Sequence, residues 1–184
     1  MYNQIERELK CLLTKEQHKK IMNSYEFPIE IHQSNTYYDT QDGYLKKMKS
    51  AMRIRTINDT YIFTLKIRTD DITLIELEKE VKDNVIEHAF EDEEIQGWLQ
   101  QYKVPTEVEK IVDFSTVRKL QVLENAELCL DETNFYGTID YELEYEYTKD
   151  HDGIQEFNHI LAPFGLSYEK NCPSKVARAV QYKI

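Results

Sequence analysis

The chain has 184 residues, with 23 Lys+Arg against 34 Asp+Glu, a net charge of −11 with histidine neutral, and it is 41% hydrophobic with 13 Tyr and 7 Phe. That length suits one domain, 1–184, with room for a real core, and an apolar composition with only 4 Pro and 5 Gly excludes a disordered chain. The acidity argues against duplex nucleic acid as a partner, because phosphate binding there needs a net basic face that releases counterions.

Cys11, Cys129 and Cys172 are odd in number and lack metal-ligand spacing, so neither a disulfide framework nor a zinc site is expected. The N-terminus, MYNQIERELK, is charged and has no apolar signal core, and no run approaches ~18 apolar residues. A cytoplasmic protein, neither exported nor membrane-spanning, is the expectation.

In chain order, residues 3–11 alternate Ile5, Arg7, Leu9, Cys11 with Glu6, Glu8, Lys10 and predict a strand. Thr14 with Gln17 three residues on forms a capping box for a helix running to Tyr25. Extended segments follow at 29–39, 51–57 and 60–68, the last two joined at Asn58-Asp59 in a hairpin turn. A strand at 73–83 precedes a helix at 89–101 with Ile95, Trp98, Leu99 and Tyr102 on one face. Strands at 108–124, 126–133 and 138–149 bring the total to eight. Asp152 or Gly153 opens a third helix, with a stripe of Ile154, Phe157, Ile160 and Leu161 that stops before Pro163 and Gly165, and Ser174 caps a last helix bearing Lys175 and Arg178. Strands dominate, so the expected class is α+β, mainly antiparallel β: an eight-stranded closed barrel with helices packed outside.

The chemistry lies on the faces opposite the apolar ones. Side chains alternate faces along a strand. In Tyr61 to Arg68 one face is Tyr/Phe/Leu/Ile and the other is Ile62, Thr64, Lys66 and Arg68; in Met52-Arg53-Ile54-Arg55 both arginines share a face. Tyr141 to Tyr147 sets Glu142, Glu144 and Glu146 against four large residues, and Ile75 to Glu80 repeats the pattern with Glu76, Glu78 and Glu80. Any one such strand is most simply a solvent-facing sheet side. Taken together, the rows are too pure in sign for that, because like charges two apart or facing across strands are destabilising. If the helices cover the apolar faces, the charged rows point into the barrel.

A dry interior of that kind is unstable, since buried charges cost several kcal/mol each unless paired. A wet tunnel that binds a ligand removes the problem. Carboxylates without His or Cys suit Mg2+ or Mn2+; rows of Arg and Lys suit a phosphate chain, with Arg forking two oxygens. A polyphosphate-bearing anion follows. No glycine-rich phosphate loop is present, so side chains must hold it.

Glu6-Arg7-Glu8-Leu9-Lys10 is similar to the N-terminal ExExK motif of the CYTH superfamily, the triphosphate tunnel metalloenzymes, which include class IV adenylate cyclases, thiamine triphosphatases and inorganic tripolyphosphatases. Tyr37-Tyr38-Asp39-Thr40, Met52-Arg53-Ile54-Arg55, Phe63-Thr64-Leu65-Lys66, Arg118 in Ser115-Thr116-Val117-Arg118, Leu130-Asp131, Glu142-Leu143-Glu144 and Ser174-Lys175 follow in family order over almost the whole chain. In lacking an appended domain the chain resembles the short CYTH proteins of Gram-positive bacteria. The resemblance implies that Glu6, Glu8, Glu142 and Glu144 hold the divalent cation, and that Lys10, Arg53, Arg55, Lys66, Arg118 and Lys175 grip the triphosphate. Either Glu76 or Glu78 matches the acidic position after Lys66, and Glu146 is a further candidate on the Glu142 face. Lys175 and Arg178, at i and i+3, would otherwise read as a solvated basic stripe. None of the five histidines sits in a catalytic pattern.

The activity this favours is metal-dependent hydrolysis of inorganic tripolyphosphate or of an organic triphosphate (nucleotide or thiamine), with Mg2+ or Mn2+ as cofactor. A carboxylate among Glu76, Glu78, Glu142 and Glu144 would orient the water. A class IV-type adenylate cyclase would use the same ligands, and a non-catalytic polyphosphate or nucleotide sensor is the alternative of another class. The expected partner is a small-molecule triphosphate or polyphosphate, with no duplex nucleic acid and no membrane; a homodimer is left open.

Overall fold

The computed structural model describes residues 5–183. Eight antiparallel strands, β1 (Ile5–Leu13), β2 (Ile29–Asp39), β3 (Ala51–Ile57), β4 (Thr60–Arg68), β5 (Thr73–Val81), β6 (Glu109–Val122), β7 (Ala126–Phe135) and β8 (Thr138–Tyr147), close into a barrel in the order β1-β5-β4-β3-β2-β6-β7-β8. The expected barrel is present. Strand ends shift by a few residues from the sequence pattern, and the first two positions of the strand expected at 3–11 lie outside the described residues. Asn58 and Asp59 both have positive φ, 46° and 64°, the type I′ geometry that matches the twist of a two-residue hairpin.

The helices are α1 (Lys15–Ser24), α2 (Tyr44–Lys47), α3 (Ile86–Ala89), α4 (Glu93–Gln101), α5 (Gly153–Leu161) and α6 (Lys175–Tyr182). Thr14 closes the capping box on α1: its hydroxyl accepts from Gln17 N at 3.1 Å and its own N–H donates to the Gln17 side chain at 2.8 Å. The helix expected over 89–101 is two pieces, because Asp92 accepts from the N–H groups of Glu94 and Ile95 and starts a new helix there. The short α2 had no periodic signal; the buried Asp39 carboxylate receives the N–H groups of Leu45 and Lys46 at 2.8 and 3.0 Å and fixes it.

Two apolar layers cover the barrel from outside. Ile86, Ala89, Ile95 and Leu99 of α3 and α4 pack on Met52, Ile54, Phe63, Leu65 and Leu77. Ile21 of α1 with Phe157 and Leu161 of α5 packs on Leu9, Leu128, Leu130, Leu143 and Tyr145. Each buried Leu or Phe in these layers contributes about 1.5–3 kcal/mol, which is why the opposite, charged faces are left to the interior. Trp98 stacks on Phe63 with ring centroids 6.4 Å apart, a core role.

One helix departs from the expected plan. Val176 and Ala179 of α6 pack on Tyr37, Val112, Phe114 and Phe135. Tyr37 lies directly across from Arg53, and Phe135 shares strand parity with Asp131, so this third cluster sits on the inner side of the wall. Helix α6 therefore closes over one end of the tunnel instead of decorating its exterior.

Candidate active site

The barrel order turns scattered rows into two walls. β8, β1 and β5 are neighbours and carry Glu142, Glu144, Glu146, Glu6, Glu8, Glu76 and Glu78; β4 and β3 are neighbours and carry Lys66, Arg68, Arg53 and Arg55. Arg118 of β6 and Asp131 of β7 lie opposite each other in register. The enclosed space is about 1480 Å³, above the 300–1,000 Å³ of an ordinary small-molecule pocket.

Every candidate residue named from the sequence is in contact with this space or with a charged group that lines it. Lys66 bridges Glu6 at 2.9 Å and Glu76 at 2.5 Å, and Lys10 pairs with Glu8 at 2.8 Å. The contact between Lys66 and Glu76 Oε2 is not aligned as a hydrogen bond, so that buried oxygen has no donor. Glu76 and Glu78 both face the tunnel, since two residues apart on one strand they cannot do otherwise; the choice between them dissolves. Thr64 donates to Glu78 at 2.9 Å. Arg53 reaches Glu78 at 3.6 Å and Glu76 at 3.8 Å and donates to the Tyr37 hydroxyl at 3.3 Å.

The four carboxylates expected to hold the cation divide. Glu6 sits with Lys66 and Glu76, and Glu8 sits with Lys10. Glu142 and Glu144 instead join Asp131, a fully buried residue, and the three offer oxygens within 4.8 Å of one another. Arg118 forks Asp131 at 2.8 and 2.7 Å and reaches Glu144 at 2.5 Å. Arg178 donates to Asp140 and to Glu142, both at 2.8 Å. Lys175 bonds Asp131 at 2.8 Å, Glu144 at 2.5 Å, and Glu142. Lys175 and Arg178 are thus buried ion-pair partners and no solvated stripe. Asp131 and Arg178 were missed as site residues: one acid among Cys129, Leu130 and Glu132 makes no row, and Arg178 has no repeat beyond Lys175.

Electrostatics separates the groups further. Burial pushes the Glu6 carboxyl well up, reinforced by Glu76 and Glu8 and opposed by Lys66. Burial also opposes the charge on Glu144, but Arg118, Lys175 and Lys10 overcome it and hold that carboxyl well below the usual range. Glu78 is raised by burial and by the Glu76 charge, and Glu146 is pushed up to about 7, chiefly by burial, with Lys66 pulling the other way and Glu144 adding. On the basic wall, burial and the charges of Arg53 and Arg118 push the Arg55 guanidinium down to about 10. Arg55 donates to Asn35 at 3.1 Å and, among the described residues, forms no ion pair with a carboxylate.

The CYTH domain family model matches residues 4–178. The chain belongs to the CYTH domain family. A Bacillus subtilis (strain 168) protein named "Putative triphosphatase YjbK" is 27% identical over 188 residues, which is 100% of this chain and 98% of that protein. The crystal structure of a Bacillus halodurans protein, described as a putative adenylate cyclase, superposes with a TM-score of 0.82 at 30% identity, over 95% of this chain and 97% of that one. A Hippeastrum protein, HpAC1, described as a putative adenylyl cyclase with a dominant triphosphatase activity, shares the fold with a TM-score of 0.75 at 24% identity, covering 98% of this CYTH chain and 96% of its own. The CYTH family is metal-dependent, and the donor set here fits a hard divalent cation: three buried carboxylates with convergent oxygens and no His or Cys among them. No helix among the described residues is long and apolar enough to cross a membrane.

Proposed function

We propose that this CYTH chain works as a single-domain, metal-dependent triphosphatase on inorganic tripolyphosphate or an organic triphosphate held in the barrel. The observation that carries the reading is Arg55: a guanidinium beside two other arginines, depressed by burial and by their charge and without a carboxylate of its own among the described residues. Three convergent arginines with one unneutralised carry a penalty that an anion among them would relieve. Arg53, Arg55, Lys66 and Arg118 would grip the phosphate chain from the basic side, with Lys10 and Lys175 reaching it from the acidic side.

Glu6, Glu8, Glu142 and Glu144, with Asp131 added, would hold Mg2+ or Mn2+. When bound, that cation would neutralise the developing charge on the transferred phosphoryl group. The side chains of the basic wall screen the repulsion within the triphosphate and align it along the tunnel, so catalysis is positioning and electrostatics without a covalent nucleophile. Of the four candidate water-orienting carboxylates, Glu142 and Glu144 are saturated by cations and Glu76 lies against Lys66. Glu78, whose side chain is 41% exposed and whose pKa is raised, is best suited to accept the proton.

The name of the Bacillus halodurans relative supports a second reading, cyclisation of ATP by the same grip. A panel of tripolyphosphate, ATP and thiamine triphosphate with Mg2+ and Mn2+, read for phosphate release and in parallel for cyclic AMP, separates them. Phosphate release that is lost in the Glu6→Gln/Glu8→Gln protein is the expected result. Undiminished turnover in that protein removes the metal assignment, cyclic AMP selects the cyclase, and tight binding with silence in both assays selects a sensor.

A further inference from the structure

The three carboxylates of the inner cluster are each shared between two kinds of cation. Arg118 takes both oxygens of Asp131 and Oε2 of Glu144, and Arg178 takes Oε2 of Glu142. Facing inward are Asp131 Oδ2, which Arg118 shares, Glu142 Oε1 and Glu144 Oε1. All three converge on a single atom, the Nζ of Lys175. The arginines hold the cluster together from behind, and the lysine occupies its mouth, with Lys10 Nζ 3.9 Å from Glu144 Oε1 at the edge.

The attachment of Lys175 differs from theirs. Arg118 projects from a barrel strand, and Arg178, within α6, is also tied to Asp140; Lys175 is the first residue of α6. The chain before α6, residues 166–174, has neither helix nor strand. It is stitched to β1 through Asn171, whose side chain accepts from Lys10 N at 2.7 Å and donates to Glu8 O at 3.0 Å, and from there Ser174 caps the helix. Lys175, at the capped end of α6 behind an irregular segment, can leave its partners without disturbing the barrel, while Arg118 on its strand and Arg178 on Asp140 stay in place.

We propose that Lys175 is an internal counter-ion that competes with the divalent cation for the inward oxygens of Asp131, Glu142 and Glu144, and that it is handed over to the phosphate chain when the cation takes them. This rests on the reading of that cluster as part of the cation site. The charges favour the exchange. Exchanging the lysine for a divalent ion makes the cluster one charge more positive, which favours a triphosphate beside it, and the freed ammonium gains a phosphate partner. Cation and triphosphate must then bind cooperatively, each removing part of the cost the other meets.

The test is Mn2+ titration without any phosphate ligand, by calorimetry, on the wild-type chain and on Lys175→Met and Lys175→Gln, together with amide hydrogen exchange of wild-type α6 with and without Mn2+. Removal of the competitor should tighten Mn2+ binding roughly tenfold or more, within the range of a typical coupling between sites. Mn2+ should also speed exchange at Ala177 and Arg178, whose N–H groups are held by Ser174. Equal or weaker Mn2+ binding by folded variants overturns the competition and leaves the cation site standing. If no protein binds Mn2+, the cation reading falls as well. Should both variants fail to fold, unchanged or slower exchange in Mn2+-loaded wild type overturns the proposal by itself.

Discussion

Replacing Arg55 by Met is expected to stabilise the protein while weakening its grip on triphosphate. Burial and the Arg53 and Arg118 charges push Arg55 down to about 10, so keeping its charge inside the barrel costs on the order of 3 kcal/mol at about 1.4 kcal/mol per tenfold. The sign follows from the depressed value: below pH 10 the guanidinium is charged in both folded and unfolded chains, and the folded chain bears the penalty. Methionine keeps much of the apolar stem and removes the charge. It also orphans the buried Asn35 side chain, which accepts from Arg55 at 3.1 Å, at a cost of about 1–3 kcal/mol. The balance is a gain of about 1 kcal/mol, or roughly 2–4 °C in Tm for a chain of this size. Circular-dichroism melts at pH 7 without phosphate measure the gain, and calorimetric titration of tripolyphosphate in chelator measures the loss, about 100-fold in Kd if one charge-assisted contact of a few kcal/mol disappears. A Tm lowered by more than about 4 °C with binding unchanged would refute the assignment of Arg55 as an anion site.

Arg118→Met should behave oppositely, losing about 3–5 kcal/mol in urea unfolding because it strips the fork from the fully buried Asp131. His18, buried against Tyr141 with ring centroids 4.6 Å apart, is held below its ordinary pKa by burial, with Lys119 adding and Glu132 and Asp131 opposing. Its contribution to stability is therefore present above about pH 6.5 and is lost as pH falls from there through its depressed folded value; urea midpoints at pH 7 and pH 5 should differ less in His18→Gln than in wild type. Gly153→Ala should cost about 1–3 kcal/mol, since a Cβ there would lie 2.3 Å from the Tyr147 ring; a Tm equal to wild type would mean the ring swings aside freely.

How much of this was legible in the sequence depends on the distance over which each signal acts. Strand parity is local, so the inward rows Glu6/Glu8, Arg53/Arg55 and Glu142/Glu144 could be read off directly. So could the capping box at Thr14 and the turn at Asn58-Asp59. The gathering of acidic rows into one wall could not, because β1 lies between β5 and β8, its distant neighbours in sequence. Glu76 and Glu78, two apart on β5, are by contrast placed on one face by strand parity alone. Lys175 and Arg178 looked solvated because a helix pattern records which residues share a face and not what that face meets; the acids they meet are on β7 and β8. Asp131 has no periodic partner; the family motif marks its position, and its opposition to Arg118 across the β6–β7 ladder gives it a role.

The alternation of Phe63, Leu65 and Ile67 with Thr64, Lys66 and Arg68 puts a mutational constraint on this barrel. A one-residue insertion or deletion within β4 would send Lys66 into the apolar layer under α3 and α4 and Leu65 into the tunnel, so core and ligand grip would fail in a single step. Length changes are then tolerated only in the connections, and a protein that folds at all folds with its charged rows facing inward. Among variants of this chain, activity should be graded by substitutions along the rows, while changes in strand length should register as absence of protein.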